Sequence, residues 1–199
     1  MKINILLFDD FEALDALGPA EIFSKIEGCE LTFFSMAGGM VKSVQMFEVL
    51  TKSRSEIDTT GILLVPGGQG TRELVNDAAF IGLLRETAEK AQFVLSVCTG
   101  AALLAKTGML DGKRATSNKR ALDWVKSVSD RVQWVEKARW VVAGKFYTSS
   151  GVSAGMDMAL GFAADNLGRS CAEAVARRIE YVWNDDCDKD NFARTDNLM

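Results

Sequence analysis

The stretch 91–108, "AQFVLSVCTGAALLAKTG", sets a continuous apolar run against a small-residue helix, with a single cysteine at the joint. An apolar run with no polar alternation predicts a strand covered on both faces, as in a parallel sheet with helices above and below. Thr99 and Gly100 then open a helix that Gly108 stops. Two more runs of this kind lie upstream, "INILLFD" (3–9) and "GILLVPGG" (61–68). Between them, "PAEIFSKIEG" (19–28) carries helical spacing with a glycine stop, and "ELTFFSMAG" (30–38) predicts the next strand. Residues 40–58 alternate weakly, as a hairpin or edge excursion, and a helical region runs from Thr71 to Lys90. Strands alternating with helices predict an α/β fold, a doubly wound and mostly parallel sheet with helices on both faces, in one domain over 1–199.

The segment "VQWVEKARWVVAGKFYTSSG" (132–151) departs from this rhythm, and Ala143-Gly144 predicts a hairpin turn inside it. "SAGMDMALGFAADNLG" (153–168) is small-residue-rich and predicts a buried helix. Ser170 with Glu173 carries the capping-box pattern for a helix over 171–183. From Asp185 to the end the chain is polar and acidic, the expected composition of a surface tail.

Composition narrows the function. The 199 residues carry a net charge of −4, with 48% hydrophobic and 25% charged residues. No basic stripe is present, which argues against a nucleic-acid partner. The basic cluster "KRATSNKR" (113–120) is broken by polar residues and is expected to be a solvated loop face. No apolar run approaches the roughly 18 residues of a membrane span, and acids follow the first apolar stretch where a leader would be cleaved. A cytoplasmic protein without a membrane partner is expected. Cys29, Cys98, Cys171 and Cys187 show no CxxC or metal-ligand spacing, so free thiols and no bound metal or cofactor are expected. The acids of "DDCDKD" (185–190) are expected to be solvated.

There is no histidine. Cys–His and Ser–His catalytic pairs are thereby excluded, and a nucleophile must be activated by other means.

In an open parallel sheet, ligands collect beyond the carboxyl ends of the strands. Three unusual loops belong there: "DDFEALDALGPAE" (9–21), "PGGQG" (66–70) and Cys98-Thr99-Gly100. The two prolines, Pro19 and Pro66, both fall within these loops. Cys98 has two readings, a nucleophile on a sharp strand-to-helix turn or a small buried hydrophobe ending a strand. As a nucleophile, it is expected to have its thiol pKa lowered by the helix N-terminus. Gly68 N–H and Thr99 N–H are the candidate oxyanion donors. Asp15, flanked by apolar residues, is the candidate proton carrier with a raised pKa, whereas Asp9, Asp10 and Glu12 are expected to form a solvated acidic bend.

Four motifs, "LDALGPAEIF" (14–23), "LLVPGGQG" (63–70), "SVCTGAALLAKTGMLDGKRAT" (96–116) and "TSSGVSAGMDMAL" (148–160), together resemble the ThiJ/PfpI superfamily. The resemblance spans residues 3–182 and implies the flavodoxin-like fold of the class I glutamine amidotransferase-like proteins. The D-x-x-G-P-x-E loop with "CTGA" is most similar to the isonitrile hydratase branch and to the ligand domain of certain AraC-type regulators. It implies Cys98 as nucleophile, Asp15 as its acidic partner, and Gly68 and Thr99 as oxyanion donors. Where many relatives carry a histidine after the cysteine helix, this chain has Asn118 and Lys119. Asp157 is a candidate supporting residue near the site, as is Asn118, and a homodimer is implied.

The function expected from these residues is cofactor-free, cysteine-dependent hydration or hydrolysis of a small molecule, with an isonitrile taken to an N-formamide. The alternatives are a glyoxalase- or amidase-like enzyme on a 2-oxoaldehyde or amide, and a non-enzymatic redox or stress sensor.

Overall fold

The structure, a computed structural model, describes residues 1–193. Its strands are β1 (Lys2–Leu6), β2 (Glu30–Ser35), β3 (Gly39–Lys42), β4 (Glu48–Ser53), β5 (Ile62–Val65), β6 (Phe93–Val97), β7 (Arg114–Ala115), β8 (Gln133–Trp134), β9 (Trp140–Ala143) and β10 (Phe146–Ser149). Its α-helices are α1 (Ala13–Ser24), α2 (Thr71–Leu74), α3 (Ala78–Lys90), α4 (Gly100–Lys106), α5 (Leu122–Val128), α6 (Ala154–Leu167) and α7 (Arg169–Arg178).

The apolar runs form the centre of an eight-stranded sheet in the order β3-β4-β2-β1-β5-β6-β10-β9. Strands β4 through β10 pair in parallel, and β3 and β9 close the two edges antiparallel. The core order β2-β1-β5-β6-β10 is the flavodoxin-like arrangement, with its topological switch between β1 and β5. Burial explains why these strands are continuous apolar runs: Ile62–Val65 and Val94–Val97 are covered on both faces. The weakly alternating segment is the β3–β4 edge hairpin, and Gly144 turns β9 into β10 with φ +63°. Helix α6 is buried along most of its length and packs on α1, as its small residues predict.

Three local expectations are corrected. The first loop is shorter than 9–21: α1 begins at Ala13 and runs through Pro19, so one of the two prolines lies within a helix. Pro19 cannot donate to the carbonyl one turn back, yet packing of α1 between β2 and α6 holds the helix. Ser170 makes no capping bond; α7 starts at Arg169 and ends at Arg178, and Glu173 instead accepts from Arg169 Nε at 2.9 Å. The segment 113–120 is not a solvated face: Thr116, Ser117 and Lys119 are buried. Lys119 Nζ donates to Thr116 Oγ1 (2.8 Å) and Ala138 O (2.7 Å), and burial lowers its pKa to about 8.

The polar tail is docked as far as it is described; residues 194–199 of that predicted segment lie outside the described residues. Asn184 N–H donates to Asp157 Oδ1, and Arg139 N–H donates to Cys187 O at 2.7 Å. Among the described residues, no helix is long and apolar enough to cross a membrane.

Candidate active site

Strand β6 ends at Val97 and α4 begins at Gly100, leaving two residues to reverse the chain. Cys98 takes the reversal with φ +57°, a left-handed conformation that costs a non-glycine residue about 1–2 kcal/mol. Three hydrogen bonds hold it there. Its N–H is shared between Ser149 O and Ser150 O (3.3 and 3.1 Å), and Ser117 Oγ donates to its carbonyl at 2.6 Å. Gly100 is required beside it, because a Cβ at that position would meet the Val65 carbonyl.

The loop after β5 closes the other side. Gly67 N–H donates to Asp15 Oδ2 at 2.9 Å, and Phe11 bridges to Gly68, locking the first two loops together. A Cβ on Gly67 would lie 2.5 Å from Thr99 Oγ1 and 2.9 Å from Asp15 Oδ2, so only glycine lets the three loops converge.

Cys98, Thr99, Gly68 and Asn118 line one cavity of about 360 Å³, together with Glu12, Val44, Gln69, Arg72, Arg120, Ala121 and Val152. Val152 also has positive φ (+45°), the second strained non-glycine residue in this wall. Asp15 sits behind Cys98 in the first turn of α1, fully buried. Among the described residues, its Oδ1 accepts no hydrogen bond. Burial, and then the nearby Glu12 charge, raise its pKa to about 7, against the Gly67 N–H and the Cys98 thiol, which favour the ionised form. The Cys98 thiol and the Asp15 carboxyl perturb each other's titration, although their contact lacks the geometry of a formed hydrogen bond.

The thiol departs from the sequence expectation. Thr99 N–H and the Asn118 amide favour the thiolate, but burial and the Asp15 charge outweigh them and push the Cys98 pKa well up. Cys98 is 7% exposed: it is packed like a core residue, at the floor of a cavity. Its resting form is the neutral thiol, beside a carboxyl that is half ionised near neutrality.

Of the two N–H groups expected to be oxyanion donors, Thr99 N–H faces the sulfur, whereas Gly68 N–H donates to Thr99 Oγ1 at 3.1 Å and is engaged. Asn118 lines the cavity, with its Oδ1 accepting from Arg120 and Ala121 N–H. Asp157 does not line it. Its carboxylate is held by Arg139 Nε (2.6 Å), Tyr181 OH (3.0 Å) and Asn184 N–H (3.0 Å), in a buried cluster that anchors the tail. Asp9 and Asp10 are exposed as expected, but Glu12 is half-buried in the cavity wall, where Gln45 Nε2 donates to it at 2.6 Å.

The sequence reading did not find Arg72, Arg120 or Ser117. None of the three lies in a local pattern that signals a ligand; Arg72 is carried by α2, Ser117 by the segment after β7 and Arg120 by the turn that leads into α5. Among the described residues, no group of three or more Cys, Asp or Glu residues is arranged to hold a metal.

The chain is similar to known proteins in sequence and in fold. A family model described as DJ-1/PfpI matches residues 1–165. Isonitrile hydratase from Pseudomonas putida is 29% identical over 195 residues, 92% of this chain and 79% of that protein. Protein/nucleic acid deglycase 2 from Escherichia coli (strain K12) is 28% identical over 130 residues, 63% of this chain and 76% of that protein. The crystal structure of a ThiJ/PfpI family protein from Pseudomonas syringae superposes with a TM-score of 0.82 at 26% identity, covering 90% of this chain and 74% of that one. With the sheet order, the strained elbow and a match across most of the sequence in agreement, the chain belongs to the DJ-1/PfpI family.

Proposed function

We propose that the protein is a cofactor-free enzyme that hydrates an isonitrile to an N-formamide, with Cys98 as nucleophile and Asp15 as proton carrier. The observation that carries this reading is a buried carboxyl with a pKa of about 7 and an unpartnered oxygen, set beside a thiol at the floor of a cavity. Ionised Asp15 takes the thiol proton as sulfur attacks the terminal carbon. The carbon lone pair so formed then takes that proton from Asp15, giving a thioimidate, R–N=CH–S–Cys98. Asp15 next removes a proton from water as it adds to the same carbon, and hands that proton to the nitrogen. Collapse of the resulting R–NH–CH(OH)–S adduct expels the thiol and releases R–NH–CHO. A carboxyl poised near neutrality alternates between base and acid without histidine. The similarity to isonitrile hydratase supports this substrate class.

A second reading keeps the Cys98–Asp15 pair and changes the substrate to a 2-oxoaldehyde or an amide, supported by the similarity to a deglycase. A third, a redox sensor, fits less well, because a buried thiol with a raised pKa is a poor target for oxidation. An alkyl isocyanide and methylglyoxal, each incubated with purified protein, separate the enzymatic readings: N-formamide release supports the first and lactate release the second. N-formamide made equally fast by Cys98→Ala would sink both the residue and the reaction.

We also propose a homodimer, with a cytoplasmic location. The exposed apolar side chains of Met40, Met46 and Leu50 on the β3–β4 hairpin support the dimer. Sedimentation at micromolar protein checks it, and a monomer throughout would refute it.

A further inference from the structure

The chemistry proposed for Cys98 calls for a thiol and an acid, but the cavity also presents cations. Arg72, on α2, is half-buried, and its guanidinium carbon lies 3.5 Å from the centroid of the Trp124 ring. It shares the cavity wall with Cys98, and charge at that sulfur acts on it directly. Among the described residues, its guanidinium has no hydrogen-bond or ion-pair partner. Arg120 adds a second positive charge at the exposed rim. The carboxylate in the same wall, Glu12, is engaged by Gln45.

Stacking fixes the plane of a guanidinium and leaves its edge free. That edge is a rigid fork of N–H donors, matched to the two oxygens of a carboxylate. The stack on Trp124 packs α2 against α5, but the N–H donors of the fork are not used in holding the fold. We infer that Arg72 is a carboxylate-binding residue and that the molecule attacked by Cys98 is a small anion, with a carboxylate a few bonds from the reacting carbon. The choice of substrate rests on Cys98 being the nucleophile; the binding of a carboxylate by Arg72 does not.

Alkylation of Cys98 tests the direction of charge without any turnover. Iodoacetate and iodoacetamide have the same shape and the same reaction, an S–C bond forming as iodide leaves, and differ in the carboxylate. Rates are read by mass spectrometry at Cys98, with Cys98→Ala marking the site. The iodoacetate-to-iodoacetamide ratio is expected to exceed that of glutathione at least tenfold. It should fall toward the glutathione value in Arg72→Met, be partly retained in Arg72→Lys, and stay unchanged in Arg85→Met, whose guanidinium pairs with Glu89 outside the cavity. A wild-type ratio equal to that of glutathione, or one that Arg72→Met leaves in place, overturns the inference.

A thiol inert to both reagents would count against the proposed nucleophile. Carboxylate binding is then read at equilibrium, by NMR titration of acetate, acetamide and inorganic phosphate. Acetate bound in preference to the other two, and lost in Arg72→Met, supports the inference. Phosphate preferred over acetate, or acetate binding unaffected by the substitution, overturns it.

Discussion

Asp15 and Asp157 are equally removed from water, both fully buried, and burial raises the pKa of each. Their partners differ. Asp157 is met by the Arg139 guanidinium, the Tyr181 hydroxyl and the Asn184 N–H, with Asp190 completing the cluster at 3.7 Å from Arg139. Asp15 has one N–H and an oxygen with nothing to accept. The first is met by three donors and ties the tail to the sheet. The second is left under-satisfied beside a strained cysteine, which keeps its proton exchangeable near neutrality. Burial alone therefore does not separate these two acids; the donors that meet them do.

This contrast can be broken at several points. Under the proposed reaction, Cys98→Ala should abolish N-formamide formation while leaving far-UV circular dichroism unchanged; residual turnover would move the nucleophile elsewhere. Asp15→Asn should lower kcat/KM about 10²–10⁴-fold, the usual contribution of a proton carrier, because an amide keeps the Gly67 bond but carries no proton. Asp157→Ala should cost about 3–5 kcal/mol in urea denaturation, since it leaves the buried Arg139 charge only the longer contact to Asp190. It should also expose the segment after Asn184 to limited proteolysis. If Asp157→Ala proves as stable as the wild type, the assigned difference between the two acids is wrong.

The pH dependence of stability sharpens the comparison further. The folded state holds a proton on Asp15 up to about pH 7, whereas the unfolded chain releases it near the ordinary carboxylate pKa of 3.8. The folded state therefore binds more protons across that window, and stability contributed by this group falls as pH rises from about 4 to about 7, then levels off. At roughly 1.4 kcal/mol per pKa unit the full effect is about 4 kcal/mol. Asp15→Asn should accordingly match the wild type at pH 4 and exceed it at pH 8, by denaturant midpoint; a wild-type advantage at pH 8 would contradict the raised pKa. The smallest effect is expected from Ser117→Ala. Loss of the bond to the Cys98 carbonyl should cost about 1–2 kcal/mol and slow alkylation of the thiol as the elbow relaxes.

Much of the frame was legible because each feature rested on neighbours in sequence. Apolar runs such as Ile62–Val65 announce strands buried on both faces, and the turn at Cys98 is marked by a strand on one side and glycine on the other. Asp15 stood out from the other acids of its segment by its apolar flanks. Features set by distant partners were not legible. Arg139 and Asp157 are 18 residues apart, and nothing local in either distinguishes a buried ion pair from a surface one. Ser170 and Glu173 have the spacing of a cap, but α7 begins one residue earlier and Arg169 takes the glutamate. Pro19 is a local helix breaker that packing overrides.

From its own residues, the chain determines a parallel sheet, a sharp turn presenting one cysteine, and chemistry without histidine, because each depends on residue type and short-range spacing. The tertiary structure alone decided that the thiol is held neutral, that Asp157 serves the tail and not the cavity, and that Arg72 lies across the cavity wall from Cys98. Those outcomes depend on desolvation and on charges brought together from separate loops, and both come into being only when the chain is folded.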